Sequence, residues 1–151
     1  MYKRILVGVD GSETSQRGLD EAIRLAKASG GQLLLVHALN QLMTANFAAA
    51  AHYDQVIQAL HDTSRQILDE AVARARQAEV RCESRLVDAG GSPAADVIVQ
   101  EAKAWPADLI VLGTHGRKGL KRLALGSDAE LVLRTSPVPL LLVRSQPEAS
   151  K

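Results

Sequence analysis

The chain has 151 residues, 46% hydrophobic and 23% charged, a balance that suits one globular domain with a real core. Eighteen basic residues against seventeen acidic ones leave a formal charge of +1, and aromatic residues make up only 3%. Together these exclude a general nucleic-acid surface and a base-stacking platform. The single cysteine, Cys82, excludes an intrachain disulfide and a multi-cysteine metal site, and its alternating surroundings predict a packed thiol. No run approaches the roughly 20 apolar residues that span a bilayer. The short Ile5-Leu6-Val7 run after the basic start does not read as a secretion signal, so a cytoplasmic location is expected.

Strand and helix patterns alternate along the chain. Arg4 to Val9 reads as a short aliphatic strand closed by Asp10-Gly11, and Ser12 reads as the N-cap of a first helix. Leu19, Ala22, Ile23, Leu25 and Ala26 form its apolar stripe, and Gly30-Gly31 ends it. Leu33 to Leu39 is a nearly continuous apolar strand. Asn40 to Ala51, rich in alanine, is expected to be a mobile loop or a short helical turn. A helical period runs from about Tyr53 to Ala78, with Val56, Leu60, Ile67, Leu68, Ala71, Val72 and Ala75 on one face.

Arg81 to Val87 is a third strand, and Asp88 to Ser92 a turn. Pro93 suits the first helical position behind a Ser92 cap. The helix carrying Ala95, Val97, Ile98, Ala102 and Trp105 stops before Pro106. Leu109 to Leu112 is a fourth strand, Ser127 to Arg134 a last helix and Val138 to Val143 a fifth strand, so the domain spans 1–145 and 146–151 form a flexible polar tail. The first, second and fourth strands are continuous aliphatic runs, as in a parallel sheet covered on both faces. The fold class is therefore α/β: a single-domain, open, doubly wound sheet of five parallel strands with helices on both faces.

In such a sheet ligands bind outside the carboxyl ends of the strands, where the winding reverses. With the order 3-2-1-4-5, that point lies between the first and fourth strands, and Asp10 and Gly113 face each other across it. Gly113-Thr-His-Gly116, followed after nine residues by Gly126-Ser127, has the makings of a phosphate cradle. Glycines permit close backbone approach, and a following helix N-terminus offers free N–H groups. Arg117, Lys118, Lys121 and Arg122 add positive charge, the first two being better placed to reach phosphate. Turn-shaping alone is the competing explanation for the glycines, and a solvated face for at least two of the cations.

Asp10 can accept a hydrogen bond from an adenine amino group or a ribose hydroxyl, or can simply start a turn. His115 lies in the loop, where a lone histidine is usually solvated, and His37 is expected to satisfy a core or strand-end hydrogen bond. His52 and His61 do not have the spacing of a helical metal pair, and Trp105 reads as packing. The chain has no Gly-x-Ser-x-Gly, no Gly-x-Gly-x-x-Gly and no Walker-type lysine motif.

Val7-Gly-Val-Asp10-Gly-Ser12, the G-x2-G-x9-G-[ST] spacing of Gly113, Gly116, Gly126 and Ser127, and Pro137-Val-Pro139-Leu-Leu-Leu-Val-Arg144 together resemble the universal stress protein family, over about residues 2 to 144. The spacing resembles that family's ATP-binding branch. The resemblance implies an adenine-nucleotide alpha hydrolase-like sheet and a homodimer built through the last strand, Val138–Val143. It also implies a stress-response switch that holds ATP, ADP or AMP, with Mg2+ as a companion ion, and docks an unknown regulatory protein. By position, Asp10 would hold the adenine or ribose end and the Ala38 backbone the adenine. Gly113, Gly116, Arg117, Gly126 and Ser127 would hold ribose and phosphates, with Gly90 and Gly91 bordering the pocket. No catalytic residue or protein-held metal is implied. The rival functions are a slow ATP hydrolase, with His115 or Asp128 assisting a water, and an interaction module regulating a transporter or sensor. Asp128 departs from the family's usual small or β-branched residue. Its carboxylate favours its own helix dipole but repels a nearby triphosphate.

Overall fold

A computed structural model describes residues 1–40, 52–115 and 125–145. Its elements run β1 (Arg4–Gly8), α1 (Glu13–Ser29), β2 (Gln32–Leu39), α2 (Tyr53–Gln77), β3 (Cys82–Asp88), α3 (Ala94–Ala104), β4 (Leu109–Gly113), α4 (Ser127–Thr135) and β5 (Leu140–Val143). The five strands form one parallel sheet in the order β3-β2-β1-β4-β5, the order the family resemblance implies.

Alternation along each strand feeds two separate cores. Ile5, Val7, Leu33, Leu35, Leu109 and Val111 face Leu19, Ala22, Ile23 and Ala26 of α1 and Leu68, Ala71 and Ala75 of α2. Leu6, Leu34, Val36, Ile110 and Leu112 face Ala95, Ile98 and Ala102 of α3, Val132 of α4 and Trp105. Each fully buried Leu or Ile contributes about 1.5–3 kcal/mol by leaving water. Because both faces are apolar, polarity alone does not forbid a one-residue slip of the register. Side-chain size does. A Cβ on Gly8 would sit 2.4 Å from Leu112 Cδ2, so a larger residue there makes that leucine side chain move.

The helix ends follow local chemistry. Ser12 is the N-cap of α1, its Oγ accepting the Ser15 N–H at 3.2 Å, and Gly30 closes the helix in the left-handed region with φ 67°. Two expectations fail. Pro93 is not the first helical residue behind a Ser92 cap; it is itself the N-cap, with φ −58° and ψ 147°, and no side-chain cap bond is made from that position. The acceptor comes from elsewhere in the fold, as described below. β5 begins at Leu140 rather than Val138, because Pro139 has no N–H to offer and the Val138 N–H is taken by Ser136 Oγ at 3.3 Å. The segments 41–51, 116–124 and 146–151, which include the expected alanine-rich loop, part of the glycine loop and the polar tail, lie outside the described residues.

Candidate functional site

The site is built at the carboxyl edge of the sheet. β1 and β2 pair Gly8 with Val36, and β1 and β4 pair Val7 with Val111. Continued two or three residues past the strand ends, these registers set Asp10 level with Ala38 on one side and with Thr114 on the other. The winding reverses between β1 and β4, so the crevice opens at that point.

The β1–α1 turn is held by its own polar groups. Asp10 Oδ1 accepts the Ser12 N–H at 2.8 Å, an Asx-type turn that Gly11 completes with φ 82°. The Asp10 N–H donates to Ser15 Oγ at 3.1 Å. The turn-starting role of Asp10 is thus real, and it uses part of the acceptor capacity of a carboxylate rather than all of it. Across the crevice, the His115 carbonyl accepts two hydroxyls, from Thr14 at 2.5 Å and Ser12 at 3.4 Å. The start of α1 and the end of β4 are therefore one tied unit. The run Ser12-Glu-Thr14-Ser15 carried the signal for this tie, since hydroxyl residues cluster where a helix start must satisfy nearby backbone groups.

Gly113 has a packing reason to be glycine. A Cβ there would lie 2.4 Å from Thr14 Oγ1, 2.7 Å from the Thr14 carbonyl carbon and 2.8 Å from the Ser15 nitrogen. The loop beyond it is pinned on two more sides: Thr114 N–H donates to the Val143 carbonyl at 3.0 Å, and the Thr114 carbonyl accepts the Gly126 N–H at 2.7 Å. That last bond brings the N-terminus of α4 to the end of β4. Gly126, its N-cap, makes no side-chain cap bond, and its carbonyl receives Glu130 N–H at 2.9 Å as a helix start requires.

Among the described residues, Thr114 Oγ1 and His115 Nδ1 are buried without a hydrogen-bond partner. His115 is half-buried, not the solvated turn histidine expected. His37 does make the strand-end bond expected of it. Its Nδ1 lies 2.6 Å from the Val9 carbonyl, which only accepts, so Nδ1 carries the proton. Gly90 and Gly91, in the turn after β3, both take left-handed φ values of 59° and 89°, and Asp88 Oδ1 accepts the Gly90 N–H at 2.9 Å.

Asp128 lies in the first turn of its helix, as the dipole reading expects, and makes a further contact that the sequence did not show. It is the second residue of α4, and its Oδ1 accepts the Ala95 N–H at 3.2 Å. Ala95 is the second residue of α3, so the carboxylate of one helix start caps the start of its neighbour. This is the acceptor that the Pro93 turn lacks. Glu130, the other acid in the first turn of α4, is paired with Arg134 at 2.8 Å.

Asp10, Ala38, Gly113, Gly126 and Ser127 therefore converge on the carboxyl edge. Gly116, Arg117, Lys118, Lys121 and Arg122 lie outside the described residues. Among the described residues no group of three or more His, Cys, Asp or Glu side chains is placed to hold a metal ion, and no helix is long and apolar enough to cross a membrane. Trp105 lies at the opposite edge of the sheet, buried, with the Arg4 guanidinium 4.2 Å above its ring and Arg4 Nε donating to its carbonyl at 2.9 Å. Cys82 starts the edge strand β3. Burial pushes its thiol above the ordinary value, and Arg76 partly opposes that shift.

These features define a doubly wound α/β domain with a crevice at its topological switch point, flanked by a helix N-terminus without its own side-chain cap. The chain belongs to the universal stress protein family, whose family model matches residues 1–144. It is 34% identical to universal stress protein A homolog 2 of Coxiella burnetii over 148 residues, covering 95% of each chain. Among solved structures it is similar to a member of the same family from Burkholderia pseudomallei, with a TM-score of 0.76 and 30% identity, covering 95% of this chain and 97% of that one. It is also similar to a universal stress protein solved in complex with cAMP, with a TM-score of 0.68 and 32% identity, covering 96% and 98%.

Proposed function

We propose that the chain binds an adenine nucleotide (ATP, ADP or AMP) in the switch-point crevice and that occupancy sets which regulatory protein it docks. The observation that carries this reading is the tie at the sheet edge, where the His115 carbonyl accepts the Ser12 and Thr14 hydroxyls and the Thr114 carbonyl accepts the Gly126 N–H at the start of α4. Family membership and the cAMP complex of a 32% identical relative support it from outside the chain. In this reading Asp10 receives a hydrogen bond from the adenine amino group or a ribose hydroxyl through the acceptor capacity its turn leaves free. The Ala38 backbone meets adenine. Gly113, Gly116, Arg117, Gly126 and Ser127 hold ribose and phosphate, the N–H groups at the start of α4 supplying the positive field.

Hydrolysis is not the proposed task. A base suited to phosphoryl transfer needs a free, aimed acceptor. Asp128, one of the two candidates, is held toward the Ala95 N–H at the start of α3 rather than left to turn toward a water. The second partner in the reading is another copy of the chain. β5 is the edge strand of the sheet, with Leu140 to Val143 only half-buried, and Leu133 on the adjoining α4 is 57% exposed. Pairing along β5 as a homodimer covers that edge.

The test is to purify the protein, extract it with acid, identify any adenine nucleotide released and follow an added nucleotide over hours. Retained, chemically unchanged nucleotide is expected. Steady turnover would favour the slow hydrolase, and no retention before or after soaking would overturn the reading.

A further inference from the structure

We propose that Asp128 selects among adenine ligands by phosphate charge, favouring mono- and cyclic phosphates over the triphosphate. The inference rests on the nucleotide reading above and names the ligand class within it. Asp128 follows Ser127 directly in the first turn of α4, beside the N–H groups that would face phosphate. Thr114 points to a ligand there independently. It is 6% exposed and its hydroxyl has no partner, although its carbonyl holds the first N–H of the α4 cap. It continues the alternation of Ile110 and Leu112, so it lies on the sheet face that α3 and α4 cover. A buried hydroxyl without a partner is expensive unless something completes it.

Asp128 is exposed, but its carboxylate is tied to the start of α3. Its bond to the Ala95 N–H caps a helix that lacks a cap of its own, at a residue only 1% exposed. Turning the carboxylate away from an arriving phosphate would strip that N–H of its acceptor. A surface acid with no such bond would simply rotate into solvent. Each added phosphate charge therefore meets a fixed negative charge. A phosphate charge held about 6 Å from that carboxylate, in an effective dielectric between those of water and a protein surface, would be repelled by roughly tenfold in affinity.

The variant that isolates this effect is Asp128→Asn, whose amide oxygen still accepts the Ala95 N–H while the charge is gone. Affinities for AMP, cAMP and ATP are measured by calorimetry at low and moderate salt for both proteins, together with their melting temperatures. The ratio of ATP to AMP affinity should rise about tenfold in the variant and shrink toward the parent ratio as salt rises, while the melting temperature falls by no more than the loss of one helix-start charge allows, about 2–4 °C. A ratio unchanged within about twofold overturns the selectivity while leaving the nucleotide reading intact. Failure of both proteins to bind any of the three overturns that reading, and the selectivity with it. If Asp128→Asn melts early, Asp128→Ser, neutral and still an acceptor, carries the same comparison.

Discussion

Replacing Gly113 by alanine tests whether the site is a tied unit rather than a set of adjacent loops. The new Cβ would stand 2.4 Å from Thr14 Oγ1, 2.7 Å from the Thr14 carbonyl carbon and 2.8 Å from the Ser15 nitrogen. The hydroxyl can swing aside, but the two backbone atoms belong to the first turn of α1 and must retreat by more than half an ångström. That motion pulls Thr14 and Ser12 from the His115 carbonyl. Overpacking of this kind costs about 1–3 kcal/mol, and rigid backbone neighbours place it in the upper half of that range. For a domain of this size the melting temperature should fall by about 5–10 °C, read by circular dichroism or calorimetry. Gly90→Ala is the control: nothing lies within 4 Å of its Cβ, and only the φ of 59° opposes it. That strain, partly offset by a stiffer unfolded chain, is worth about 1 kcal/mol, or a fall of about 2–4 °C. A Gly113→Ala protein melting within about 2 °C of the parent, or a Gly90→Ala protein losing as much as it does, would refute the packing argument.

Ser12→Ala removes the side-chain cap of α1 and one of the two hydroxyls on the His115 carbonyl, and should cost about 1 kcal/mol in a urea melt. Cys82 should alkylate slowly at neutral pH, with the midpoint of its rate-against-pH profile above that of a free cysteine in the same buffer. The sign for stability follows: a thiol whose folded value is raised contributes fully below the unfolded value and loses that contribution as pH rises through the folded one. Cys82→Ser should flatten that alkaline loss.

The fold was legible because the strands announced themselves. Leu33 to Leu39 and Leu109 to Leu112 have no polar face to spare, as a sheet covered on both sides requires, while the strand order rested on the family resemblance and not on the periodicity. Boundaries were legible where a residue type forces them, as at Ser12 and Gly30. They were not where tertiary structure decides. α2 ends at Gln77, within a residue of the expected Ala78, although the left-handed position behind it is Glu79 at φ 60° and no glycine marks it. The start of α3 reads one residue early in the sequence, at Pro93 behind Ser92, because the acceptor for its first turn, Asp128, comes from 33 residues away. In the candidate site, the sequence brought Asp10 and Gly113 to one crevice. It did not reveal that Gly113 yields to the first turn of α1, or that two hydroxyls converge on the carbonyl of His115. Those are facts of close approach between segments some hundred residues apart.

The most direct test of the central claim is where an adenine nucleotide lands. Backbone amide shifts of labelled protein should be followed by NMR during titration with AMP. The account predicts saturable shifts concentrated at residues 10–12, 38, 113–115 and 126–129. Shifts confined to another surface, such as the groove between α1 and α2 lined by Gln16, Thr63, Gln66 and Glu70, would contradict it, as would no shifts at all.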